Sequence, residues 1–358
     1  MLYRIKTELF RIRQFIFRSR YNGLSLPYIF LIHMPRVFFL MVYKKTAKKI
    51  NDRILAASIN KYRMRQFHKK HASSLGNHFY VIVMPDTLHY LIPCLRLLPA
   101  ELNVFLIFNG AKAWEWQLLL KEFSHRPFCK LFTLPFSSIN HGYVLNLFFY
   151  SNEKNFGIID HDLYIFDKSI FQNLEFSDNH FMKAIFYGEN RYTGMVYPHT
   201  FFLFFNTSKI KQLMHQFKVD ARIYKKLPKT VESSVANIGL SNTRFVKDYI
   251  RYYDTLHVLL ALGYVEGWQV DYLDTEDIYH LGGTSMGAQY TKDLPQMYIS
   301  MRFLELVNIP QLTNKYLPYL TPYTSSEQIN QKLGVSPEVL HMKNTLKIIL
   351  EKISQNLS

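Results

Sequence analysis

Two aspartates separated by a single residue are the side chains of this sequence best placed to do chemistry. Asp160 and Asp162 follow a short apolar run, residues 156–159, that predicts a buried strand. Residues i and i+2 of a strand face the same way, so the two carboxylates would repel each other unless a positive charge lay between them. A divalent cation with oxygen ligands would meet that need and could also bridge phosphates. An acidic turn at the end of a strand is the alternative interpretation.

A second candidate segment lies far along the chain, where His280 is followed by Gly282, Gly283, Thr284 and Ser285. The two glycines permit unusual φ angles and a close approach of the backbone, and the amides and hydroxyls could hold phosphate. An imidazole ligand would favour Mn²⁺ over Mg²⁺. The alternative is a surface histidine before a flexible turn.

The elements that must position these residues alternate between strand and helix. Short apolar runs predict strands over 78–85, 103–109, 130–134 and 198–207, and helices are predicted over 88–98, 111–124, 141–152 and 248–263. This alternation predicts a mostly parallel, three-layer α/β sheet. Ligands of such sheets bind beyond the carboxyl ends of the strands, where Asp86, Asn109 and Gly110 fall. Residues 326–356 predict one or two terminal helices with a break at 333–337.

The composition restricts the class of protein. The chain has 358 residues, of which 48% are apolar and 20% are charged, as expected for a folded protein. Its two cysteines, Cys94 and Cys129, are too few for a disulfide scaffold or a cysteine-ligated zinc site, and they fit a reducing compartment.

Nearly all of the formal net charge of +16 comes from residues 1–71, whose only acids are Glu8 and Asp52. Residues 2–20 predict a basic amphipathic helix. Residues 27–43 form an apolar run interrupted by Arg36, which favours a segment lying on the membrane over one that spans it. The lysines that follow suit anionic headgroups, so we expect an anionic membrane surface as a partner. Solvated helical packing is the alternative, and nucleic-acid binding is not expected because no recognition motif accompanies the charge.

The order of these elements over residues 78–287 resembles the GT-A-fold glycosyltransferases, in particular bacterial family 2-like members. The likeness includes the strand ends at Asp86 and Asn109, the helix opening at His141-Gly142, the Asp160-His161-Asp162 motif, Asp254 and the segment from His280. It implies a GT-A-like, Rossmann-like fold with a basic helical N-terminal extension. It also implies that Asp160, Asp162 and His280 hold Mn²⁺ or Mg²⁺ on the diphosphate of a nucleotide-sugar donor.

The resemblance implies roles for further residues. Asp254 would take the proton from the acceptor hydroxyl if the reaction inverts the anomeric centre, although it could instead cap a helix, and Asp271 and Asp274 are alternative bases. The strand predicted over 198–207 would border the acceptor site, which makes His199 and Asn206 candidate acceptor contacts. The family usually has an acidic residue at the position of Asn109. Donor binding is expected from Asp86, Asn109, Gly142, Asp160, Gly282 and Gly283.

These observations predict a hexosyltransferase-like glycosyltransferase that moves a sugar from a nucleotide-sugar donor to a glycan or lipid-linked acceptor, as in polysaccharide biosynthesis. We expect it at the cytoplasmic face of the membrane, as a peripheral or monotopic protein. The expected domains are a membrane-surface segment (1–71), a catalytic domain (72–310) and a C-terminal helical extension (311–358). A nucleotidyltransferase on a similar fold, or a non-catalytic membrane or nucleic-acid adaptor, is the alternative.

Overall fold

The computed structural model describes residues 58–110, 112–123, 126, 129–134, 139–282, 284 and 293–357, and five separate positions nearer the N-terminus (31, 35, 39, 42 and 46). Contacts divide the chain into two compact units, Met1–Arg53 and Ile54–Ser358. The helix predicted over 2–20, most of the run at 27–43, Gly283 and Ser285 lie outside the described residues. The predicted domain boundaries stay a prediction.

Eleven strands are present in the described part of the second unit. They are β1 (His78–Val83), β2 (Val104–Phe108), β3 (Cys129–Thr133), β4 (Phe156–Ile159), β5 (Leu163–Ile165), β6 (His180–Ala184), β7 (Tyr187–Glu189), β8 (Val196–Pro198), β9 (Phe202–Phe205), β10 (Gln269–Tyr272) and β11 (Ile278–His280). Seven of them form one sheet in the order β10-β6-β9-β4-β1-β2-β3, while β5 pairs with β11 and β7 with β8.

The large sheet is mostly parallel. β1 runs parallel to β2 and β4, β2 parallel to β3, and β6 parallel to β10, whereas β9 is antiparallel to both β4 and β6. The central strands are buried on both faces, which explains their continuous apolar sequences. The predicted α/β class is therefore confirmed.

Helices cover both faces of this sheet. They are α1 (Ser58–Lys70), α2 (Leu88–Leu97), α3 (Ala113–Phe123), α4 (His141–Ser151), α5 (Thr207–Phe217), α6 (Lys229–Ala236), α7 (His257–Val265), α8 (Leu294–Val307), α9 (Pro310–Tyr316), α10 (Ser326–Asn330) and α11 (Pro337–Leu357). Alternate residues of β1 enter two different apolar clusters, Phe79 on one face and Tyr80 on the other. The α2, α8 and α11 helices pack on the first face and α1, α4 and α7 on the second, which makes three layers.

Three local predictions differ from the structure. The segment predicted as one strand over 198–207 is divided, because β8 ends at Pro198, β9 is Phe202–Phe205 and α5 begins at Thr207. The helix predicted over 248–263 begins only at His257, because the chain before it pairs Tyr253 with Tyr224 as an isolated bridge. Asp160 and Asp162 lie in the turn after β4 rather than on the strand itself. The predicted break between the terminal helices is present, between α10 and α11. Among the described residues, no helix combines the length and apolar character needed to cross a bilayer.

Candidate functional site

The turn between β4 and β5 carries the two aspartates. The amide of Asp160 donates to the carbonyl of Phe201 (2.9 Å), and the amide of Leu163 donates to the carbonyl of Asp160 (3.3 Å). These bonds fix the turn at the edge of the large sheet. The Asp160 side chain is 34% exposed, whereas that of Asp162 is 4% exposed.

Pairing of β11 with β5 brings the distant histidine to this turn. The two strands are antiparallel, with His280 opposite Leu163, and the amide of Leu281 donates to the carbonyl of Asp162 (3.3 Å). His280 Nε2 lies 3.2 Å from Asp162 Oδ1 and 3.8 Å from Asp160 Oδ2. One ligand atom from each of the three residues lies within 4.8 Å of the others.

This donor set fits a divalent cation of the Mn²⁺ type. Two carboxylate oxygens and one imidazole nitrogen converge on one point, and such mixed oxygen and nitrogen ligands suit Mn²⁺ better than a purely oxygen-seeking ion such as Ca²⁺. The antiparallel pairing of β5 and β11 fixes His280 beside the two aspartates. The residues present therefore fit the expected metal.

The electrostatics distinguish the two carboxyls. Burial raises the pKa of Asp160 well above its usual range, and the adjacent charge of Asp162 adds to this effect, although part of the side chain stays exposed. Burial also acts to raise the pKa of Asp162, but the hydrogen bond from His280, the nearby imidazoles and the Thr284 hydroxyl together hold that pKa below its usual range. Without a cation, Asp162 therefore carries the charge of the pair, and a bound cation would favour ionisation of both.

Thr284 orients the Asp162 carboxylate and also contacts His161. The Thr284 hydroxyl donates to Asp162 Oδ2 (2.5 Å) and lies 3.1 Å from His161 Nε2. Burial lowers the pKa of His161, so its ring is neutral near neutral pH. The sequence analysis predicted that hydroxyls of this segment bind phosphate. In the structure the Thr284 hydroxyl instead binds the Asp162 carboxylate.

Two stacked aromatic rings, those of Phe201 and His199, support the imidazole of His280. The Phe201 ring lies on the imidazole of His280, with centroids 3.4 Å apart and planes 19° apart. His199 stacks on Phe201 in turn, at 5.2 Å. The sequence predicted His199 as an acceptor contact and missed Phe201, because an aromatic residue in an apolar run is ordinarily part of the core.

Asp254 and Asp160 share one cavity. Its volume is about 140 Å³, and it is lined by Ile82, His141, Leu145, Ile158, Ile159, Asp160, Thr200, Asp254 and Thr255. The Asp254 carboxylate lies 3.6 Å from Lys247 Nζ and accepts from the amide of Thr255 (2.9 Å). The N-cap position of α7 is occupied by Leu256, at a φ of 69°, so the capping alternative for Asp254 is not what the structure shows.

Asp86 lies at the end of β1, fully buried, with a φ of 63°. Its Oδ1 accepts from Lys112 Nζ (2.7 Å), and its amide donates to Glu115 Oε1 (2.7 Å). Glu115 also accepts from the Tyr316 hydroxyl (2.5 Å). Asp86 therefore belongs to a network that ties β1 to α3 and α9.

Asn109 and Gly142 have structural contacts that account for their identities. The Asn109 side chain exchanges two hydrogen bonds with the main chain of Ile139, at 2.7 and 2.8 Å, and so holds the approach to α4. A Cβ at Gly142 would lie 2.6 Å from the carbonyl oxygen of Ala221, so only glycine permits this contact. Gly282 adopts a φ of 69° and lies two residues after β11, the strand that ends with His280. The donor-binding roles of these residues stay predictions.

Asp271, Asp274 and Asn206 neither belong to the Asp160–Asp162–His280 group nor line the cavity that Asp160 and Asp254 share. Asp271 forms an ion pair with Lys183, and Asp274 is exposed. The Asn206 side chain accepts from the amide of Lys209 and caps α5. Asp254 therefore has the best position of the three candidate bases.

Comparison with known proteins identifies the chemistry class. Residues 56–210 match the family model of the StrH glycosyltransferase N-terminal domain. This match confirms the predicted resemblance to glycosyltransferases over that part of the chain. No curated protein matches the sequence.

Solved glycosyltransferase structures show a distant likeness. Residues 1–349 of TarS from S. aureus are 14% identical, with 77% of this chain and 80% of that chain covered and a TM-score of 0.34. The mannosyltransferase PcManGT from Pyrobaculum calidifontis, in complex with GDP-Man and Mn²⁺, is 9% identical, with coverages of 87% and 86% and a TM-score of 0.36. GlyE from Streptococcus pneumoniae TIGR4 is 11% identical, with coverages of 77% and 62% and a TM-score of 0.36.

Proposed function

We propose that this enzyme transfers a sugar from a nucleotide-sugar donor to a glycan or lipid-linked acceptor, with a divalent cation held by Asp160, Asp162 and His280. The observation that carries the proposal is the convergence of these three side chains from two distant segments within 4.8 Å. Two acidic groups that lie close together at a sheet edge repel each other, which costs free energy. A bound cation removes that cost. The position, beyond the carboxyl ends of parallel strands, is where nucleotides bind in α/β proteins.

The cation, when bound, would act as a Lewis acid that stabilises the negative charge developing on the leaving diphosphate. The residues of the chain do the rest. Thr284 and His280 orient Asp162, and Phe201 holds the ring of His280. Asp86, Asn109, Gly142, Asp160, Gly282 and Gly283 are proposed to contact the donor.

Asp254 is proposed as the base that accepts the proton of the acceptor hydroxyl. In this step the acceptor oxygen forms a bond to the anomeric carbon, the bond from that carbon to the diphosphate breaks, and the proton passes to the Asp254 carboxylate. Its presence in the same cavity as Asp160 supports this role, because acceptor and donor must meet there. Lys247 and the Thr255 amide fix the direction of the carboxylate.

The proposed acceptor and location rest on the charge of the N-terminal segment. The basic segment 1–71 and the exposed apolar side chains of Leu31 (77%), Phe39 (69%) and Val42 (48%) support binding of the protein to an anionic membrane surface at the cytoplasmic face. A lipid-linked sugar or a surface polysaccharide precursor would be presented at such a surface.

The test is calorimetric titration of the full chain with UDP, GDP and CMP, each with and without Mn²⁺. We expect one nucleotide to bind only with the metal, and Asp162→Asn to abolish that binding because the buried ligand charge is lost. Asp178→Asn, which changes an exposed carboxylate, is the matched control and should bind normally. Nucleotide binding that is indifferent to Mn²⁺ and to Asp162→Asn would overturn the metal role.

A further inference from the structure

A second cleft opens beside α4, away from the cavity that Asp160 and Asp254 share. This α4 cleft has a volume of about 170 Å³ and is lined by Tyr143, Asn146 and Tyr150 of α4, by Lys61 of α1, and by Asp220 and Arg222 of the loop after α5. Ligand pockets for drug-sized molecules start at about 300 Å³. The α4 cleft therefore has room for a single sugar ring or a small anion.

The two cavities lie on opposite sides of the same helix. A helix turns by about 100° per residue, so His141 and Leu145 of the catalytic cavity share one side. Tyr143, Asn146 and Tyr150 fall at i, i+3 and i+7 on the other side. One face of α4 thus borders the reaction site while its opposite face lines the α4 cleft.

The walls of the α4 cleft are held rigidly. The Asn146 side chain accepts from the amide of Ala221 (2.8 Å). The absence of a side chain at Gly142 allows the carbonyl of Ala221 to approach α4 closely. The loop that carries Asp220 and Arg222 is therefore locked against the helix, and the cleft is preformed.

The charges in the α4 cleft favour an anion that also has hydroxyl groups. Asp220 is neutralised by Arg222, whose Nε lies 2.7 Å from its Oδ2. Lys61 Nζ packs 3.9 Å from the centroid of the Tyr150 ring, and no carboxylate forms an ion pair with it in the described part of the chain. Among the described residues, the cleft therefore retains one positive charge, on Lys61, that no carboxylate compensates.

The other side chains suit a sugar. Tyr150 is 43% exposed and its ring lines the cleft, so the part of the ring that Lys61 does not cover is an apolar surface on which a sugar ring can pack. The Asn146 amide and the Asp220 carboxylate are hydrogen-bonding groups for hydroxyls. Lys61 supplies the cation for a phosphate or carboxylate group.

We infer that the α4 cleft binds a sugar unit bearing a phosphate or carboxylate group, as part of the glycan acceptor outside the reaction site. The inference rests on the proposed function, since only a glycan acceptor of several sugar units would be long enough to reach from the reaction site around α4 to the cleft. Recognition here would set which acceptors the enzyme extends.

The experiment measures binding of small probes to the full chain by ligand-observed NMR, without donor or metal. The probes are glucose 6-phosphate, glucuronate, glucose and inorganic phosphate. We expect the two anionic sugars to bind more tightly than glucose or phosphate. We also expect Lys61→Gln and Tyr150→Leu to weaken them by about tenfold each, which corresponds to about 1.4 kcal/mol.

Two matched variants serve as controls. Lys347→Gln and Tyr192→Leu change exposed residues of the same types elsewhere and should bind like the unmodified chain. Near-UV circular dichroism checks that every variant is folded. Equal binding of phosphate and glucose 6-phosphate, no binding of either anionic sugar, or the same loss in the controls would overturn the inference. Neither nucleotide nor Mn²⁺ is added in this NMR experiment. Binding of the sugar probes can therefore be measured whether or not the calorimetric test supports the proposed function.

Discussion

At the scale of residues, Asp160 and Asp162 differ in environment although they are one position apart. Asp162 is nearly fully buried and receives hydrogen bonds from His280 and Thr284, whereas Asp160 lies at the cavity that also contains Asp254. Asp162 is thus fixed as a ligand of the proposed cation, while Asp160 is open to both the cation and the donor. The difference explains why Asp162 is the position to substitute when the metal site is tested.

Replacing the proposed base should separate chemistry from binding. We expect Asp254→Asn to lower kcat by about 10²- to 10⁴-fold, because general base catalysis contributes that much. Metal-dependent nucleotide binding should be unchanged, since Asp254 lies outside the Asp160–Asp162–His280 group. Steady-state kinetics and calorimetry measure the two properties. Asp274→Asn, at an exposed acid, is the control; full activity of Asp254→Asn would assign the base elsewhere.

At the scale of elements, the β5–β11 pair brings together the residues of the proposed metal site, and the C-terminal helix holds this pair in place. Lys352 of α11 donates to both carboxylate oxygens of Asp277, at 2.6 and 2.7 Å. The carbonyl of Asp277 in turn accepts from the amide of Phe166, at 3.0 Å. The strand that carries His280 is therefore fixed at its start by a helix from the end of the chain.

Breaking this link should loosen the metal site without touching a ligand. We expect Lys352→Met to weaken Mn²⁺ binding by about tenfold, the low end of the effects of residues that support metal ligands. The Mn²⁺ electron paramagnetic resonance signal of the free ion measures the affinity. Lys347→Met on the same helix, whose partner Glu351 is exposed, should have no effect. Identical affinities in both variants would show that α11 does not support the site.

At the scale of the whole molecule, one sheet separates two apolar cores and presents its loops at one edge. The α2, α8 and α11 helices complete the core beneath the Asp86 network, and α1, α4 and α7 complete the other. Buried histidines occur in both halves: His68 and His78 on one side, and His89 on the other. These histidines make the stability of the entire body depend on pH.

Stability should fall as the solution becomes mildly acidic. Burial lowers the pKa of His68 to about 4, and of His78 and His89 to about 3, from the ordinary value of 6.5. Below 6.5 the unfolded chain binds more protons than the folded one. Each pH unit then removes about 1.4 kcal/mol of unfolding free energy per histidine, until the folded pKa is reached.

Urea unfolding at a series of pH values measures this slope. His89→Gln should reduce the slope by the share of one histidine, whereas His341→Gln, at an exposed position, should leave it unchanged. A free energy that stays constant between neutral pH and pH about 5 would contradict the expectation.

The proposed membrane attachment belongs to the same scale, because it would depend on the asymmetry of charge along the chain. We expect replacement of Lys44, Lys45, Lys48 and Lys49 by glutamine to weaken binding to anionic vesicles, by about 1 kcal/mol per lysine. Neutral vesicles should bind poorly throughout. Replacement of four exposed lysines of the body (Lys225, Lys226, Lys229 and Lys332) is the control. Equal sedimentation of both variants with anionic vesicles would argue against a role for the N-terminal charge.

The sequence by itself determined the alternation of strands and helices, the α/β class and the identity of the metal-site candidates. Short continuous apolar runs rich in β-branched and aromatic residues, such as β1 and β2, favour buried strands of a covered sheet, and polar residues at their ends mark the edge where ligands bind. The Asp160-His161-Asp162 motif stands out because like charges at such spacing need a counter-charge. These are local properties, and local periodicity records them.

The tertiary structure alone decided which distant residues meet. Nothing local in the sequence states that β11 pairs with β5 in the register that places His280 at 3.2 Å from Asp162. The late start of α7, the stacking of Phe201 on His280 and the second cleft behind α4 are likewise results of non-local packing. Such contacts depend on hydrogen-bond register and on the shape of neighbouring elements, which are set only when the whole chain has folded.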